Sequence, residues 1–235
     1  ICLKEAGGDP ARVGSPIDEF PAACREAHRR WPRAMLASST HDTKRSEDVR
    51  ARINLLSEVP DDWRRAVNRW AQLNEAHRRD NLLDRNAEYL LYQTLVGAWP
   101  IETERIVAFM EKSSREAKVH TSWTNPDPAY DSALQAFIEG MLASTEFIAD
   151  LEAFVKPLLE PGRINSLAQT LLKLTAPGIP DLYQGTEPLF FPEPPLYSIQ
   201  GIVSEMRPDQ RVNRRNAYWR MFGLEPPHPI PARWA

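Results

Sequence analysis

Residues 34–48 read AMLASSTHDTKRSED, a short apolar run that changes at once into hydroxyl and charged residues. A short apolar segment that ends in a polar loop is typical of a buried parallel strand. We therefore predict a strand over residues 34–40, with His41 and Asp42 at its carboxyl end. In a barrel of parallel strands and helices, the carboxyl ends of the strands form the catalytic face.

A second strand is predicted within residues 177–185. These residues read PGIPDLYQG, a short run bracketed by turn residues, which is typical of a strand that ends in a polar loop. A helix is predicted directly before it, over residues 164–174. The overall pattern predicts a mainly α chain within an α/β parent, namely a partial (β/α)8 TIM barrel, represented by its last strands, with a large all-helical insertion.

The segment between the two strands is predicted to be helical, and so are residues 17–31. Pro60 suits a first helical turn, because proline already has a helical φ. Pro157, Pro161 and Gly162 predict the end of the last helix of the segment. Apolar residues recur at helical spacing in four stripes: Trp63, Val67, Trp70 and Leu73; Leu90, Leu91, Leu95 and Trp99; Leu134, Phe137, Ile138, Met141 and Leu142; Phe147, Ile148, Leu151, Phe154 and Val155.

These patterns divide the chain into four parts. Residues 1–45 are predicted to form a barrel segment that ends in the loop after the first strand, and residues 46–161 a helical insertion subdomain. Residues 162–187 are predicted to contain the last barrel helix and strand. Residues 188–235 hold nine of the 21 prolines and little apolar periodicity, which predicts a poorly ordered tail.

Composition excludes several classes of function. The 29 basic and 32 acidic residues are intermixed and give a formal charge of −3, so no nucleic-acid partner is expected. We expect neither a membrane span nor a secretory leader, and the cytoplasm is the expected location. Cys2 and Cys24 are predicted to be reduced thiols. Because the sequence has no phosphate-binding loop, nucleophile elbow or His/Cys metal spacing, no cofactor or metal is expected.

The densest cluster of reactive side chains follows the first strand, where His41 and Asp42 stand side by side. A carboxylate can accept hydrogen bonds from sugar hydroxyl groups or offset the charge of an oxocarbenium ion, and an imidazole can donate to another hydroxyl. The alternative is structural, with Asp42 capping the next helix and His41 satisfied within the loop. In that alternative the charged residues that follow form only a solvated helix face: Lys44, Arg45, Glu47 and Asp48.

A second polar cluster lies within residues 112–123, which read KSSREAKVHTSW. A basic helical turn there runs into a polar stretch with one tryptophan, which suits a network of bonds to sugar hydroxyl groups beside an aromatic platform. The alternative is a helix end whose basic residues complement the helix dipole, with Trp123 buried as core.

Residues 39–52, STHDTKRSEDVRAR, closely resemble the signature of the maltooligosyltrehalose synthases. Three further stretches match this family in the expected order: RRWPRAMLA (29–37), YQTLVGAWP (92–100) and REAKVHTSW (115–123). Residues 165–187 resemble the family's final barrel strand and loop. The resemblance covers about residues 3–187, and the sequence after it departs from the family's pattern.

The resemblance implies an α-amylase-like enzyme that converts the reducing-end α-1,4 link of a maltooligosaccharide into an α,α-1,1 link, as a glucosylmutase of trehalose biosynthesis. Retaining enzymes of this kind use one carboxylate as nucleophile and a second as acid and base, while a third helps to bind the distorted sugar. By motif position, the resemblance implies that Asp42 is this third, transition-state-stabilising carboxylate. It implies substrate-binding roles for six residues: His41, Lys44, Arg45, Lys118, His120 and Trp123.

The same resemblance implies that the nucleophile and the acid/base belong to a missing N-terminal half of the barrel. We expect this chain, which begins with Ile1, to be an internal piece that is inactive alone. Its expected partners are that missing half and a maltooligosaccharide or α-1,4-glucan. Two other interpretations remain open: a noncatalytic glucan-binding or scaffolding remnant, and an amylase-type hydrolase that releases trehalose. The TKRSED continuation after Asp42 argues against the hydrolase.

Overall fold

The described residues are mostly helical, as predicted. The structure, a computed structural model, describes residues 16–40, 43, 45–78 and 82–181, so the predicted tail over residues 188–235 lies outside the described residues. The helices in these ranges are α1 (Glu19–Arg30), α2 (Glu47–Asn54), α3 (Pro60–Leu73), α4 (Arg85–Ala98), α5 (Thr103–Ala117), α6 (Pro128–Ala143) and α7 (Thr145–Thr175). Short 3-10 turns follow α2 and α3, at Leu55–Ser57 and Glu75–His77.

Two short strands pair in parallel, although helices α2 to α7 lie between them in the chain. Strand β1 (Met35–Ala37) is hydrogen-bonded to β2 (Ile179–Asp181), with Met35 opposite Ile179. Parallel neighbours need a crossover connection, and here the whole helical segment provides it. Both strands lie where the sequence analysis predicts them, but each is only three residues long. The expectation that the first strand is buried was wrong, since Met35 and Ala37 are exposed and Leu36 is half-buried.

Several helices begin at capping residues that can be read from the sequence. The Asp84 carboxylate accepts hydrogen bonds from two backbone N–H groups in the first turn of α4. Asp127 does the same for α6, and the Ser144 hydroxyl accepts one such bond from α7. Pro60 is the first residue of α3. These groups satisfy amides that have no partner within the helix, which sets where each helix starts.

An aromatic cluster joins α3, α4 and α7. The Trp70 side chain is fully buried, and its ring centroid lies 5.4 Å from that of Tyr92 on α4 and 5.8 Å from that of Phe147 on α7. Trp63 lies 5.8 Å from Trp70 in an edge-on arrangement. Buried aromatic pairs contribute about 0.5–1.5 kcal/mol each beyond their area. The tryptophans of α3 therefore stabilise the helical segment, in agreement with their helical spacing.

Helix α7 is continuous through Pro157 and Pro161, so the prediction that these residues end a helix was wrong. An interior proline costs about 3 kcal/mol, and each fully buried large apolar side chain returns about 1.5–3 kcal/mol. Both prolines face solvent, while one face of α7 is buried along most of its length: Phe147, Leu151, Val155, Leu158, Gly162, Ser166, Thr170 and Lys173. Burial of that face therefore outweighs the cost of the prolines.

The length of α7 does not make it a membrane helix. It has 31 residues, but polar and charged side chains interrupt its apolar face. Among residues 16–40, 43, 45–78 and 82–181, no helix has both the length and the apolar composition needed to cross a bilayer.

Candidate functional site in the loop after the first strand

The first candidate cluster lies in the loop between β1 and α2. His41, Asp42 and Lys44 fall outside the described residues, so their roles stay predictions. The two threonines that flank the His41–Asp42 pair are bonded to each other. The backbone N–H of Thr40 donates to Thr43 Oγ1 at 2.8 Å, and the Thr43 N–H donates to the Thr40 carbonyl at 3.1 Å. The chain on either side of the pair is therefore held at a fixed separation.

Arg45 connects this loop to α4. Its guanidinium group is buried and donates to Thr94 Oγ1 at 2.9 Å and to the Leu90 carbonyl at 3.3 Å. Because these contacts orient part of the side chain towards α4, they anchor the end of the loop. The predicted contact between Arg45 and a sugar is not tested by these bonds and stays a prediction.

Helix α2 is buried on all sides, although it is rich in charged residues. Glu47, Asp48, Arg50 and Arg52 are each at most 9% exposed. The alternative in which Arg45, Glu47 and Asp48 form a solvated helix face was therefore wrong. The sequence pattern indicates charge but carries no signal of the long-range partners that satisfy it.

A network of buried polar groups joins β1, α2 and α7. Lys173 Nζ lies 2.8 Å from a Glu47 carboxylate oxygen and donates to Ser38 Oγ at 2.8 Å. The Ser38 hydroxyl also donates to Glu47. Arg50 donates to the Ser38 carbonyl and, at 3.2 Å, to Ser39 Oγ. The two residues that follow β1 are therefore bonded to both neighbouring helices.

Two further groups of α2 show the electrostatic cost of this burial. Burial raises the pKa of the Asp48 carboxyl, although bonds from the Ser46 hydroxyl and the Val49 N–H act in the opposite direction. Burial lowers the pKa of Arg52, whose guanidinium donates to the Trp99 carbonyl at 2.9 Å. Charged residues are kept in this position at a desolvation cost.

The second candidate cluster begins where α5 ends. Lys118 adopts the left-handed backbone conformation, with φ of 57°, and its N–H donates to the Ser114 carbonyl. His120 stacks on Tyr130, with ring centroids 4.9 Å apart, and its Nε2 lies 3.0 Å from Asp84 Oδ2. His120 is therefore tied to the residue that caps α4.

Trp123 is 57% exposed, so the alternative that places it in the core was wrong. The Arg115 guanidinium lies over its indole ring, 4.9 Å from the centroid, and also donates to Asp131 at 2.9 Å. Two hydrogen bonds hold the loop that carries Trp123: the Asn125 N–H donates to Ser122 Oγ at 2.9 Å, and the Ser122 N–H donates to the Asn125 carbonyl at 3.1 Å. The indole is thus an exposed aromatic surface on a fixed support, which suits stacking against a sugar ring.

Helix α4 is the element to which both clusters are attached. Arg45 bonds to Leu90 and Thr94 in its middle, and His120 bonds to Asp84 at its beginning. Asp84 lies six residues before Leu90 and ten before Thr94, so the two attachment points are about 9–15 Å apart along the helix axis. Within the described part of the chain, no group of three or more His, Cys, Asp or Glu side chains is arranged for a metal ion.

The chain is similar to known proteins in sequence and in structure. No family model matches the chain. A curated protein of Mycobacterium tuberculosis, provisionally named maltooligosyl trehalose synthase, is 37% identical over 194 residues, which is 80% of this chain and 24% of that protein.

Solved structures give the same result. The maltooligosyltrehalose synthase of Arthrobacter ramosus has 35% sequence identity and a TM-score of 0.71, over 96% of this chain and 29% of that one. A hypothetical maltooligosyl trehalose synthase of Sulfolobus tokodaii has 32% identity and a TM-score of 0.70, over 94% of this chain and 33% of that one.

The chain spans about a quarter of the length of the curated relatives that it matches. The matches agree with the resemblance of residues 39–52 to the family signature. By sequence and by fold, this chain is therefore related to the maltooligosyltrehalose synthases and corresponds to about a quarter of one.

Proposed function

We propose that this chain is part of a (1→4)-α-D-glucan 1-α-D-glucosylmutase, which isomerises the reducing end of a maltooligosaccharide to a trehalose terminus. The observation that carries the proposal is the likeness in sequence and fold to maltooligosyltrehalose synthases. The bonded arrangement of β1, α2 and α7 at the two ends of the loop that contains the His41–Asp42 pair supports it. Asp42 is proposed as the carboxylate that stabilises the oxocarbenium-like transition state, and His41 as a sugar-binding partner.

The remaining proposed site residues have supporting roles towards the glucan. Lys44 and Arg45 bind hydroxyl groups or orient Asp42 from the same loop. Lys118, His120 and Trp123 line the sites for the glucose unit that must turn over and attack again. The link of both clusters to α4 supports this assignment, since one rigid helix carries the two regions.

In this proposal the chain is inactive alone. A retaining mechanism needs a nucleophile and an acid/base, and these two carboxylates are proposed to lie in a separate N-terminal part of the barrel. The proposed division keeps a barrel segment to residue 45, a helical insertion over 46–161 and the last barrel helix and strand over 162–187, with the second boundary inside the continuous helix α7.

An exposed apolar stripe on the second half of α7 supports the existence of that partner segment. Large apolar side chains recur there with helical spacing, and each is at least 47% exposed: Ile164, Leu167, Leu171 and Leu172. A contiguous apolar stripe on a helix is typical of a surface that another element covers. We propose that the strands of the missing barrel part cover it.

The experiment that tests the function is reconstitution. The purified chain is incubated with maltopentaose, alone and with a fragment that supplies the part of the Arthrobacter ramosus enzyme which this chain leaves out, and loss of reducing ends is followed. We expect activity only in the mixture, abolished by Asp42→Asn and unchanged by Asp61→Asn on the exposed face of α3. Activity of the chain alone would refute the assignment of the nucleophile to the missing part, and release of free trehalose would favour the hydrolase.

A noncatalytic glucan-binding function is the second candidate, and the geometry of Trp123 favours it. Its indole is exposed and is supported by Arg115 and a bonded loop, and such a surface can bind sugar without the catalytic carboxylates. In this case the chain binds a glucan and shows no turnover in any mixture.

Trp123→Ala tests whether this surface binds glucan in either function. Loss of a stacked aromatic contact is expected to weaken maltopentaose binding about two- to tenfold, since such contacts contribute about 0.5–1.5 kcal/mol. Titration followed by tryptophan fluorescence or calorimetry measures this change. Trp31→Ala provides the control, because Trp31 is also exposed but lies after α1; an equal effect of both variants contradicts a site at Trp123.

A further inference from the structure

Glu47 and Lys173 form a buried ion pair between segments that are 126 residues apart in the chain. Their side chains are 4% and 7% exposed, respectively. A buried ion pair gains little net stability over apolar residues of similar volume, because desolvation offsets the attraction. General stabilisation of the core is therefore a weak explanation for this pair.

Every N–H donor of the Lys173 ammonium group has an acceptor in this pair and its surroundings. Lys173 Nζ has three N–H donors, and it has three acceptors: the two Glu47 oxygens at 2.8 and 3.1 Å and Ser38 Oγ at 2.8 Å. The Ser38 hydroxyl donates back to Glu47. The three side chains thus form a closed ring of hydrogen bonds, and Arg50 fixes the Ser38 carbonyl from the other side.

The ring lies at both ends of one loop. Ser38 directly follows β1, and Glu47 is the first residue of α2. Residues 39–46 run between these two points, and they include the His41–Asp42 pair. Lys173, in the last turn of α7, is hydrogen-bonded to both Ser38 and Glu47. A change in this ring therefore alters where the loop begins and where it ends.

We propose that Glu47 and Lys173 are positioning residues that hold the two ends of the loop between β1 and α2, residues 38–40 and 45–47, in one arrangement. The proposal rests on the proposed function for its catalytic meaning. Neither residue needs to contact the sugar. Their effect on the reaction passes through the loop, where misplacement of a catalytic group by about 1 Å costs on the order of 100-fold in rate.

Two variants separate positioning from stability. Lys173→Met leaves the Glu47 carboxylate buried without its cation and is expected to lower the melting temperature. Glu47→Met/Lys173→Met removes both charges with apolar side chains of similar length and is expected to recover most of that loss. Both variants remove the ring on Ser38, so loop protection is expected to be lost in both. The double variant therefore still tests loop protection if the single variant does not fold.

The readout is hydrogen exchange of the Thr40 and Thr43 amides in the 235-residue chain, together with kcat in the reconstituted mixture. We expect at least tenfold faster exchange at these two amides in the double variant, with exchange in α3 and α4 unchanged. The control, Arg69→Gln, breaks an exposed ion pair between α3 and α7 and should leave loop exchange unaltered. In the active mixture kcat should fall 10- to 100-fold.

Unchanged exchange at Thr40 and Thr43 in the double variant would overturn the proposal. An equal rise of exchange throughout α2, α3 and α4 would overturn it too, because it would indicate a general structural role. If the unmodified mixture has no activity, the proposed function fails, but the exchange result still decides whether the pair positions the loop.

Discussion

Asp48 shows how one residue of the charged stretch after β1 behaves once it is folded. Its carboxyl is buried, and one of its oxygens has no hydrogen-bond partner among the described residues. Burial raises its pKa above the ordinary value for aspartate. The folded chain therefore holds the Asp48 proton more tightly than the unfolded chain, so the contribution of this group to stability is full below about pH 4 and is lost as the pH rises through the raised pKa.

Asp48→Asn is expected to remove this pH dependence, because asparagine stays neutral. The free energy of unfolding of the variant relative to the parent chain should rise between pH 4 and pH 7, on the order of 1 kcal/mol, the scale of one buried polar interaction. Urea unfolding at the two pH values measures this difference. Asp61→Asn, at an exposed position on α3, is the control and should show no such rise; a fall for Asp48→Asn would contradict the assignment.

At the scale of elements, the sequence predicts helices better than it predicts where they end. The stripes through Trp63, Leu91, Phe137 and Phe147 correspond to α3, α4, α6 and α7, because an amphipathic face is a local pattern. The ends of α7 are a different matter. Proline and glycine are local signals for a stop. The buried face that keeps α7 continuous instead packs on α2, α3 and α4, which lie far away in the sequence.

Pro161→Ala is expected to stabilise the chain by about 2 kcal/mol. Alanine is about 3 kcal/mol better than proline inside a helix, and greater freedom of the unfolded chain offsets up to about 1 kcal/mol of this. Pro161 is exposed, so no packing is lost. Urea unfolding gives the change. A destabilised variant would mean that proline is required at this point of α7.

Gly162→Ala is the companion measurement to Pro161→Ala. Alanine is the better helix former by about 1 kcal/mol, but a Cβ atom on Gly162 would lie 3.2 Å from Arg52 Cβ and Cγ. We therefore expect no gain from this variant, in contrast to its neighbour. A gain of about 1 kcal/mol, the full difference in helix propensity, would show that α2 and α7 can separate without cost.

At the scale of the whole molecule, the sequence predicts two strands separated by a helical segment, but neither their pairing with each other nor the polar ring that holds them. A strand end followed by charged residues indicates a site, and the parallel pairing of β1 and β2 agrees with that plan. At Glu47, by contrast, the local pattern allows a solvated helix face, because the partner Lys173 is 126 residues away. The local pattern has no information about such a partner, although a lysine on the buried face of α7 was a usable signal.

The exposed stripe of α7 gives the prediction that belongs to the whole molecule. Leu167→Ser/Leu171→Ser should leave the fold of this chain unchanged, since both side chains are more than half exposed. It should weaken binding to the fragment that supplies the rest of the barrel by 100-fold or more, because burying a leucine contributes about 1.5–3 kcal/mol. Sedimentation velocity measures the complex. The control is Glu152→Ser/Lys156→Ser, at exposed positions on the first half of α7. Equal binding of the fragment by both double variants would show that the fragment binds another surface of this chain.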